Sequence, residues 1–257
     1  MEGSPVRKTL KTLIPLAAAT VPLALLPAAA HADSGTSYQT TLNALNGSGG
    51  SGMATVTVQG HRATVNLSYT GLATTFGGNP YPHVQHIHVG ANGTCPTMSD
   101  DKNGDGIVDT VEGQPDYGMV ATTLSTKGPT SAKAATDITV APAGGSASYH
   151  RSFRLNAATM DALQSGTAVI VVHGLDPATL SKKAQNEKSN LVPSLPLAAT
   201  APALCGALSS MPTGGVATGT GSTGGIEDLG MFAVGGGLLA GGGALFATRR
   251  RATSKAG

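Results

Sequence analysis

Alternating apolar and polar residues between positions 54 and 69 constrain the fold of this chain more than any other pattern. Apolar side chains recur at every second position over residues 54–58 and again over 63–69, and Gln59-Gly60 separates the two runs. A period of two places one side of a strand in a core and the other in solvent. The segment therefore predicts a hairpin of two half-buried strands.

Several other short segments have the same character, so the chain is predicted to be mostly β. The further predicted strands cover residues 38–45, 85–90, 117–123, 138–142, 148–155 and 168–173, and long irregular stretches cover 71–82, 94–116 and 174–203. One helix is predicted at 157–164, with Asn156 as its N-cap and Gly166 just past its end. Short strands separated by Gly and Pro turns favour an antiparallel sandwich or barrel. Long loops in such a domain are usually functional or held by a metal or a bridge.

The N-terminal segment 1–32 has the pattern of an export signal. A basic start is followed by an apolar run at 13–29 and by Ala30-His31-Ala32, a small-x-small cleavage site. We expect the mature protein to begin near Asp33 and to fold outside the cell membrane.

The C-terminal region predicts a membrane anchor. Residues 229–248 carry no charged side chain, and three arginines open the tail at 249–257. This length can cross a bilayer as a helix, and the arginines would place the tail in the cytoplasm. The alternative is a flexible glycine-rich tail. Residues 209–228 are rich in Gly, Ser and Thr and predict a flexible linker, which leaves one domain at 33–208.

Charge and cysteine content narrow the expectations further. The net charge of the chain is +2, and much of the basic excess lies at its two ends. The domain between them therefore has no basic patch that would indicate nucleic acid as a partner. The chain has two cysteines, Cys95 and Cys205. Thiols of exported proteins tend to be oxidised, so we expect an intrachain disulfide between them.

Three histidines lie within six residues, at His83, His86 and His88. If this segment is extended, His86 and His88 point to the same face and His83 is out of register. Two imidazoles on one face form half of a site suited to copper, zinc, iron or nickel. The alternative is a strand edge whose histidines have satisfied hydrogen bonds. His173 ends a continuous apolar run, and a lone histidine there is more often structural than a ligand.

Residues 101–112 match the twelve-residue calcium loop, with oxygen ligands, a glycine and an apolar residue at the required positions. The alternative is a solvated Asx-Gly turn, because the flanking segments lack the pattern of the two helices of an EF-hand. Bound calcium would order a surface loop. The predicted ligands are Asp101, Asn103, Asp105, Ile107 through its carbonyl, Asp109 and Glu112.

The order of the motifs resembles that of copper/zinc superoxide dismutase. The chain has H-x-x-H-x-H, then Cys95, then V-V-H-x-x-D, then Cys205-Gly206. It is even more similar to the bacterial CHRD-type domains, in which an H-I-H segment follows a hairpin ending in Gly-Leu, here Gly71-Leu72. The resemblance covers most of residues 37–208 and implies a Greek-key sandwich or barrel.

The resemblance also implies roles for individual residues. Copper would bind His86, His88 and His173, while His83 would be a structural hydrogen-bonding residue. The two cysteines would form a disulfide, as export alone also predicts.

The chain departs from the dismutase in ways that bear on activity. It has no histidine between Val89 and Tyr149, so the bridging histidine and the zinc ligands are missing and no zinc site is expected. The position of the substrate-guiding arginine falls on Pro202, which removes the positive charge that steers superoxide. His150 is a candidate fourth ligand if its strand faces the site.

Two functions follow from these patterns. The first is a surface-displayed metal-binding or interaction module, rigidified by calcium and a disulfide, without full dismutase activity. The second is an extracellular copper oxidoreductase of the dismutase type, with no catalytic residue assigned beyond the metal ligands.

Overall fold

A computed structural model describes residues 35–212 of the chain, together with Gly3. The helices in this range are α1 (Thr110–Tyr117), α2 (Ala157–Ser165), α3 (Lys182–Asn186) and α4 (Leu197–Thr200). The strands are β1 (Thr36–Ala44), β2 (Ser51–Gln59), β3 (Arg62–Thr70), β4 (Thr75–Phe76), β5 (Asn79–Pro80), β6 (Gln85–Val89), β7 (Met119–Thr123), β8 (Ala147–Arg154), β9 (Val169–His173), β10 (Pro202–Ala207) and β11 (Ser209–Ser210).

One curled antiparallel sheet dominates the described part of the chain. Its strands follow the order β7-β6-β9-β10-β1-β2-β3-β8, and β11 pairs with β1. Strand β1 joins the two halves, because residues 36–42 pair with β2 and residues 43–44 pair with β10. The sheet curls into a half-barrel, which confirms the all-β prediction.

The main core follows the predicted alternation. In the β2–β3 hairpin, Ala54, Val56, Val65 and Leu67 are buried and their sequence neighbours are not. Burying one such valine or leucine completely stabilises the fold by about 1.5–3 kcal/mol. The connecting turn is Gly60-His61, one residue later than predicted, since Gln59 pairs with Arg62.

Strand β9 is buried along its whole length because both of its faces are covered. Ile170 and Val172 pack into the main core. Val169 and Val171 point to the other face and pack with Tyr117 of α1 in a second, smaller core cluster. The site described below lies on this second face.

Two predicted strands are corrected by the structure. Residues 138–140 form a short 3-10 turn, because the Asp137 side chain accepts the backbone N–H of Thr139 and starts a turn instead of a strand. The strand predicted at 117–123 begins only at Met119, since Tyr117 ends α1. Gly118 separates the two elements with φ +87, a conformation that favours glycine.

Sequence analysis missed strand β10, and α1, α3 and α4 lie in stretches predicted to be irregular. The first five residues of β10 are all buried, so the strand has no alternation that a period-two search detects. The sheet continues to Ser210, two residues into the predicted linker.

Several predictions concern residues outside the described range. They are the export signal at 1–32, the linker beyond residue 212, the membrane helix at 229–248 and the basic tail at 249–257. Within residues 35–212, no helix is long and apolar enough to cross a membrane.

The predicted disulfide between Cys95 and Cys205 is confirmed, with Cα atoms 5.8 Å apart. Cys205 lies in β10, opposite Val171 of β9. Cys95 lies in the loop after β6 and packs against the second core cluster. The bridge therefore fastens this loop over the face of the sheet that carries Val171.

We expect the double substitution of Cys95→Ser and Cys205→Ser to lower the free energy of unfolding by roughly 4 to 5 kcal/mol, because the bridge closes a loop of 110 residues in the unfolded chain. Urea unfolding monitored by circular dichroism measures the difference. A reducing agent should destabilise the wild type and leave the double variant unchanged. A loss below about 1 kcal/mol would contradict the chain-entropy explanation.

Candidate metal centre

Antiparallel pairing of β6 with β9 brings three histidines to one face of the sheet. His86 is paired with Val171, and directly opposed residues project to the same side. His88 lies two residues after His86, and His173 lies two residues after Val171, so both share that side. The strand pairing therefore explains how histidines distant in sequence meet.

The three rings converge in a buried cluster, here called the histidine cluster (His86, His88 and His173). One ligand nitrogen from each ring lies within 4.8 Å of the other two, and the side chains are 1 to 3% exposed. Nitrogens that share one ion at about 2.1 Å lie no more than about 4.2 Å apart. The separations of the three nitrogens therefore exceed those of a metal-bound set by less than about 1 Å.

Backbone carbonyls fix the orientation of every ring in the cluster. The Nε2–H of His86 donates to Ala135, 3.0 Å away. The Nδ1–H groups of His88 and His173 donate to Gly118 at 3.0 Å and to Thr200 at 2.7 Å. A carbonyl oxygen only accepts, so these nitrogens carry the protons and the second nitrogen of each neutral ring has a free lone pair.

The second nitrogens have no partner in the structure. Nδ1 of His86 and Nε2 of His88 and His173 are buried and make no hydrogen bond. A buried polar atom without a partner is unfavourable by about 1 to 3 kcal/mol. Three such atoms in one cluster have the arrangement that metal coordination requires.

Electrostatics keep the cluster neutral and ready to coordinate. Burial lowers the pKa of His88 to about 3 and the pKa of His173 to about 4. Burial, followed by the proximity of the other two rings, lowers the pKa of His86 well below its ordinary value. The carbonyl hydrogen bonds oppose these shifts without overcoming them. Neutral imidazole is the form that binds metals.

Gly118 supports this site, although sequence analysis did not identify it. Its carbonyl accepts the His88 proton, and a Cβ at this position would lie 2.1 Å from the Val89 carbonyl oxygen. The other two supporting groups are the carbonyls of Ala135 and Thr200. Any residue offers a backbone carbonyl, so the sequence contains no signal for these two positions.

His83 lies behind the cluster, where its two ring nitrogens lie 2.9 Å from carbonyl oxygens of His173 and Ala73. It joins the end of β9 to the loop that follows β3. Gly174 permits the contact, because a Cβ there would approach Nδ1 of His83 to 2.8 Å.

His150 does not join the cluster. It lies in β8 with its side chain exposed, and its ring is hydrogen-bonded to the Asn66 side chain of the neighbouring strand β3. The prediction of a fourth ligand required its strand to face the site. The exposed ring faces solvent, so that condition is not met.

The loop at 101–112 leads directly into α1. Asp109 is the N-cap of this helix, and Glu112 folds back to accept the Asp109 N–H, which forms a capping box. Asp101 accepts the N–H groups of Gly104 and Gly106. The carboxylates therefore already have backbone partners.

The remaining predicted calcium ligands lie close by. Asn103 donates to Asp105, and Ile107 packs its side chain into the main core. Sequence analysis did not identify Glu187. Its side chain is hydrogen-bonded to Asp105, and this contact raises the pKa of Glu187. In the described part of the chain, the only group of three or more His, Cys, Asp or Glu side chains at metal-binding separation is the histidine cluster. Calcium binding stays a prediction.

A cavity of about 380 Å³ adjoins the histidine cluster. The hairpin of β4 and β5 lies on one side of it and residues 191–195 on another, and both belong to long stretches predicted to be irregular. These loops enclose the approach to the three rings.

Comparison with known proteins assigns no family. No protein family model matches the chain, and no curated protein matches it. Functional inference therefore depends on the geometry of the site.

The metal-free domain should lose stability as the pH falls below about 6.5. The folded state holds His88 and His173 with lowered pKa values, so the unfolded chain binds more protons between pH 6.5 and the folded values of about 3 and 4. Urea unfolding at pH 7.5, 6 and 5 checks this expectation. His173→Gln should flatten the pH dependence, and His150→Gln should leave it unchanged. Identical slopes for the wild type and His173→Gln would contradict the assignment.

Proposed function

We propose that this protein is an exported, membrane-anchored domain similar to CHRD-type and superoxide dismutase-like β-sandwiches. It acts as a metal-binding or surface interaction module without full dismutase activity. The observation that carries the proposal is the histidine cluster, with three converging ring nitrogens that lack hydrogen-bond partners. The cluster can hold a metal ion, and the identity of the ion is part of the proposal.

Copper is the proposed metal. Imidazole nitrogens suit copper, zinc, iron and nickel, and Cu²⁺ is the most tightly bound of the divalent first-row ions at a given site. The resemblance to the dismutase favours copper at the same three histidines. Carbonyl partners on the outer nitrogens would hold the rings in position for the ion.

The strand order supports the proposed fold relationship. Strand β10 follows long connections and lies beside β1, which gives the local order β10-β1-β2-β3. This local order has the spatial arrangement of a Greek key, although six other strands separate β3 from β10 along the chain.

The surroundings of the cluster favour binding over rapid dismutation. None of the residues that line the adjoining cavity has a charged side chain. Superoxide is an anion, and fast capture depends on positive charge near the metal. Pro202 occupies the position of the guiding arginine, and its strand places it opposite His173.

The alternative function is a copper-dependent oxidoreductase of the dismutase type. Three protein nitrogens leave at least one coordination position of an ion free, as in catalytic metal sites. The adjoining cavity gives a small molecule access to that position. A copper ion would supply one-electron redox chemistry there, while the protein would fix the ring geometry.

Copper titration of the full-length chain, after removal of metals with a chelator, tests the proposal. We expect one copper per chain by elemental analysis. His86→Ala should weaken binding by at least roughly 10- to 100-fold, since loss of even an outer-sphere partner has an effect of that size. His150→Ala is the matched control, because this histidine is exposed and does not belong to the cluster. Equal copper binding by both variants would exclude the site.

A superoxide assay on the copper-bound chain separates the two functions. We expect slow decay of superoxide with little dependence on salt. A fast rate that falls as salt rises would indicate electrostatic steering and favour the oxidoreductase.

A calcium site at Asp101, Asn103, Asp105, Ile107, Asp109 and Glu112 is a separate part of the proposal. Its support is the spacing of the loop and the burial of Asp105 and Asp109, which are each 2% exposed. Buried carboxylates are stabilised by a paired cation.

We expect calcium to raise the melting temperature of the full-length chain. Calcium at 100 times its dissociation constant would stabilise the fold by about 2.7 kcal/mol. Asp101→Asn should reduce the shift, whereas Asp161→Asn, on the exposed side of α2, should not. Differential scanning calorimetry with and without calcium measures both. An unchanged melting temperature for the wild type would exclude a specific site.

A further inference from the structure

The cavity beside the histidine cluster is large for a site that handles a diatomic anion. Its volume of about 380 Å³ lies within the range of small-molecule pockets, roughly 300–1,000 Å³. A single water molecule takes up about 30 Å³ in the liquid. The space therefore suits an organic molecule of several heavy atoms.

The walls of the cavity are mainly apolar. Phe76 and Tyr81 contribute an aromatic pair on one side, with ring centroids 5.0 Å apart. Val192 and Leu195 contribute aliphatic surface from the loop before α4. The lining includes no charged side chain, so only the proposed metal could offset the hydration that an ionic ligand would lose.

Two exposed apolar residues also line this cavity. Ile138 is 53% exposed and Leu191 is 51% exposed. Each belongs to a turn or loop in which a polar side chain would be better hydrated. Large apolar side chains that remain exposed beside an apolar cavity are typical of a ligand-binding site. The Ile138 turn is the segment for which sequence analysis predicted a strand.

The histidine cluster is the buried polar feature of the cavity whose nitrogens lack partners. The three unpartnered nitrogens are buried, and their rings lie along the cavity. An ion held there would lie beside the cavity. A ligand in the cavity would thus meet the metal and a mainly apolar surface.

We infer that the cavity binds an uncharged small molecule that combines an apolar, ring-sized body with one nitrogen or oxygen donor for the metal. The inference rests on the proposed metal site and specifies its ligand class. The donor completes the coordination of the ion, while the body packs against Phe76, Tyr81, Val192 and Leu195.

Three probes on the copper-bound full-length chain test the inference. Imidazole supplies the donor alone, 4-phenylimidazole adds an apolar ring, and azide is a small anion. We expect 4-phenylimidazole to bind at least about tenfold more tightly than imidazole, because the phenyl ring becomes buried. Azide should bind no more tightly than imidazole. Isothermal titration calorimetry and the copper visible spectrum give the affinities, and elemental analysis afterwards checks that the copper is retained.

Surface variants locate the binding. Ile138→Glu and Leu191→Glu should each weaken 4-phenylimidazole at least about fivefold and leave imidazole within about twofold, since only the apolar body contacts these residues. Met53→Glu is the matched control, because Met53 is 55% exposed on β2 and does not line the cavity. All three positions are exposed, so the substitutions should not prevent folding.

The outcomes separate this inference from the metal proposal. A chain that binds copper but holds imidazole and 4-phenylimidazole equally, or prefers azide, overturns the inference and leaves the metal site intact. Equal losses of 4-phenylimidazole affinity in Met53→Glu and the cavity variants also overturn it. A chain that binds no copper overturns both.

Discussion

The pairing of β6 with β9 is the constraint on which the site depends. These strands are adjacent in the sheet although about eighty residues separate them in sequence, and their register sets His86 opposite Val171. A shift of one residue would turn His86 and His88 to the opposite face of β6 and separate them from His173. The register is held by the burial of β9 on both faces, because any slip would expose or misplace several valines and isoleucines.

Three features cover the face on which the histidines lie. Tyr117 at the end of α1 contacts the His88 ring, with centroids 4.7 Å apart, and donates its hydroxyl to the Thr110 carbonyl. The disulfide fastens the loop after β6 above Val171. Gly118 allows the chain to turn sharply enough for its carbonyl to reach His88. This coverage buries the three rings, which lowers the histidine pKa values and leaves three nitrogens without protein partners.

Those unpartnered nitrogens oppose folding in the metal-free state. Each nitrogen without a partner lowers the free energy of unfolding by about 1 to 3 kcal/mol. The disulfide and the apolar core offset this loss of stability in the described domain. Coordination of an ion would satisfy all three at once and would couple metal binding to stability. The same fold leaves a mainly apolar cavity beside the histidine cluster.

The sequence by itself determined the all-β class, the β2–β3 hairpin, the helix after Asn156 and the choice of His86 and His88, because each depends on local periodicity or capping. The predicted export signal and the presence of two cysteines were sufficient to predict the disulfide. The family resemblance predicted that His173 joins the pair, and the pairing of β6 with β9 brings the three rings together. Only the tertiary structure decided that His150 faces solvent and that residues 138–140 form a turn at the cavity. Strand β10, the Gly118 carbonyl and the cavity walls depend on contacts between distant segments, and such contacts leave no periodic pattern in the residues that make them.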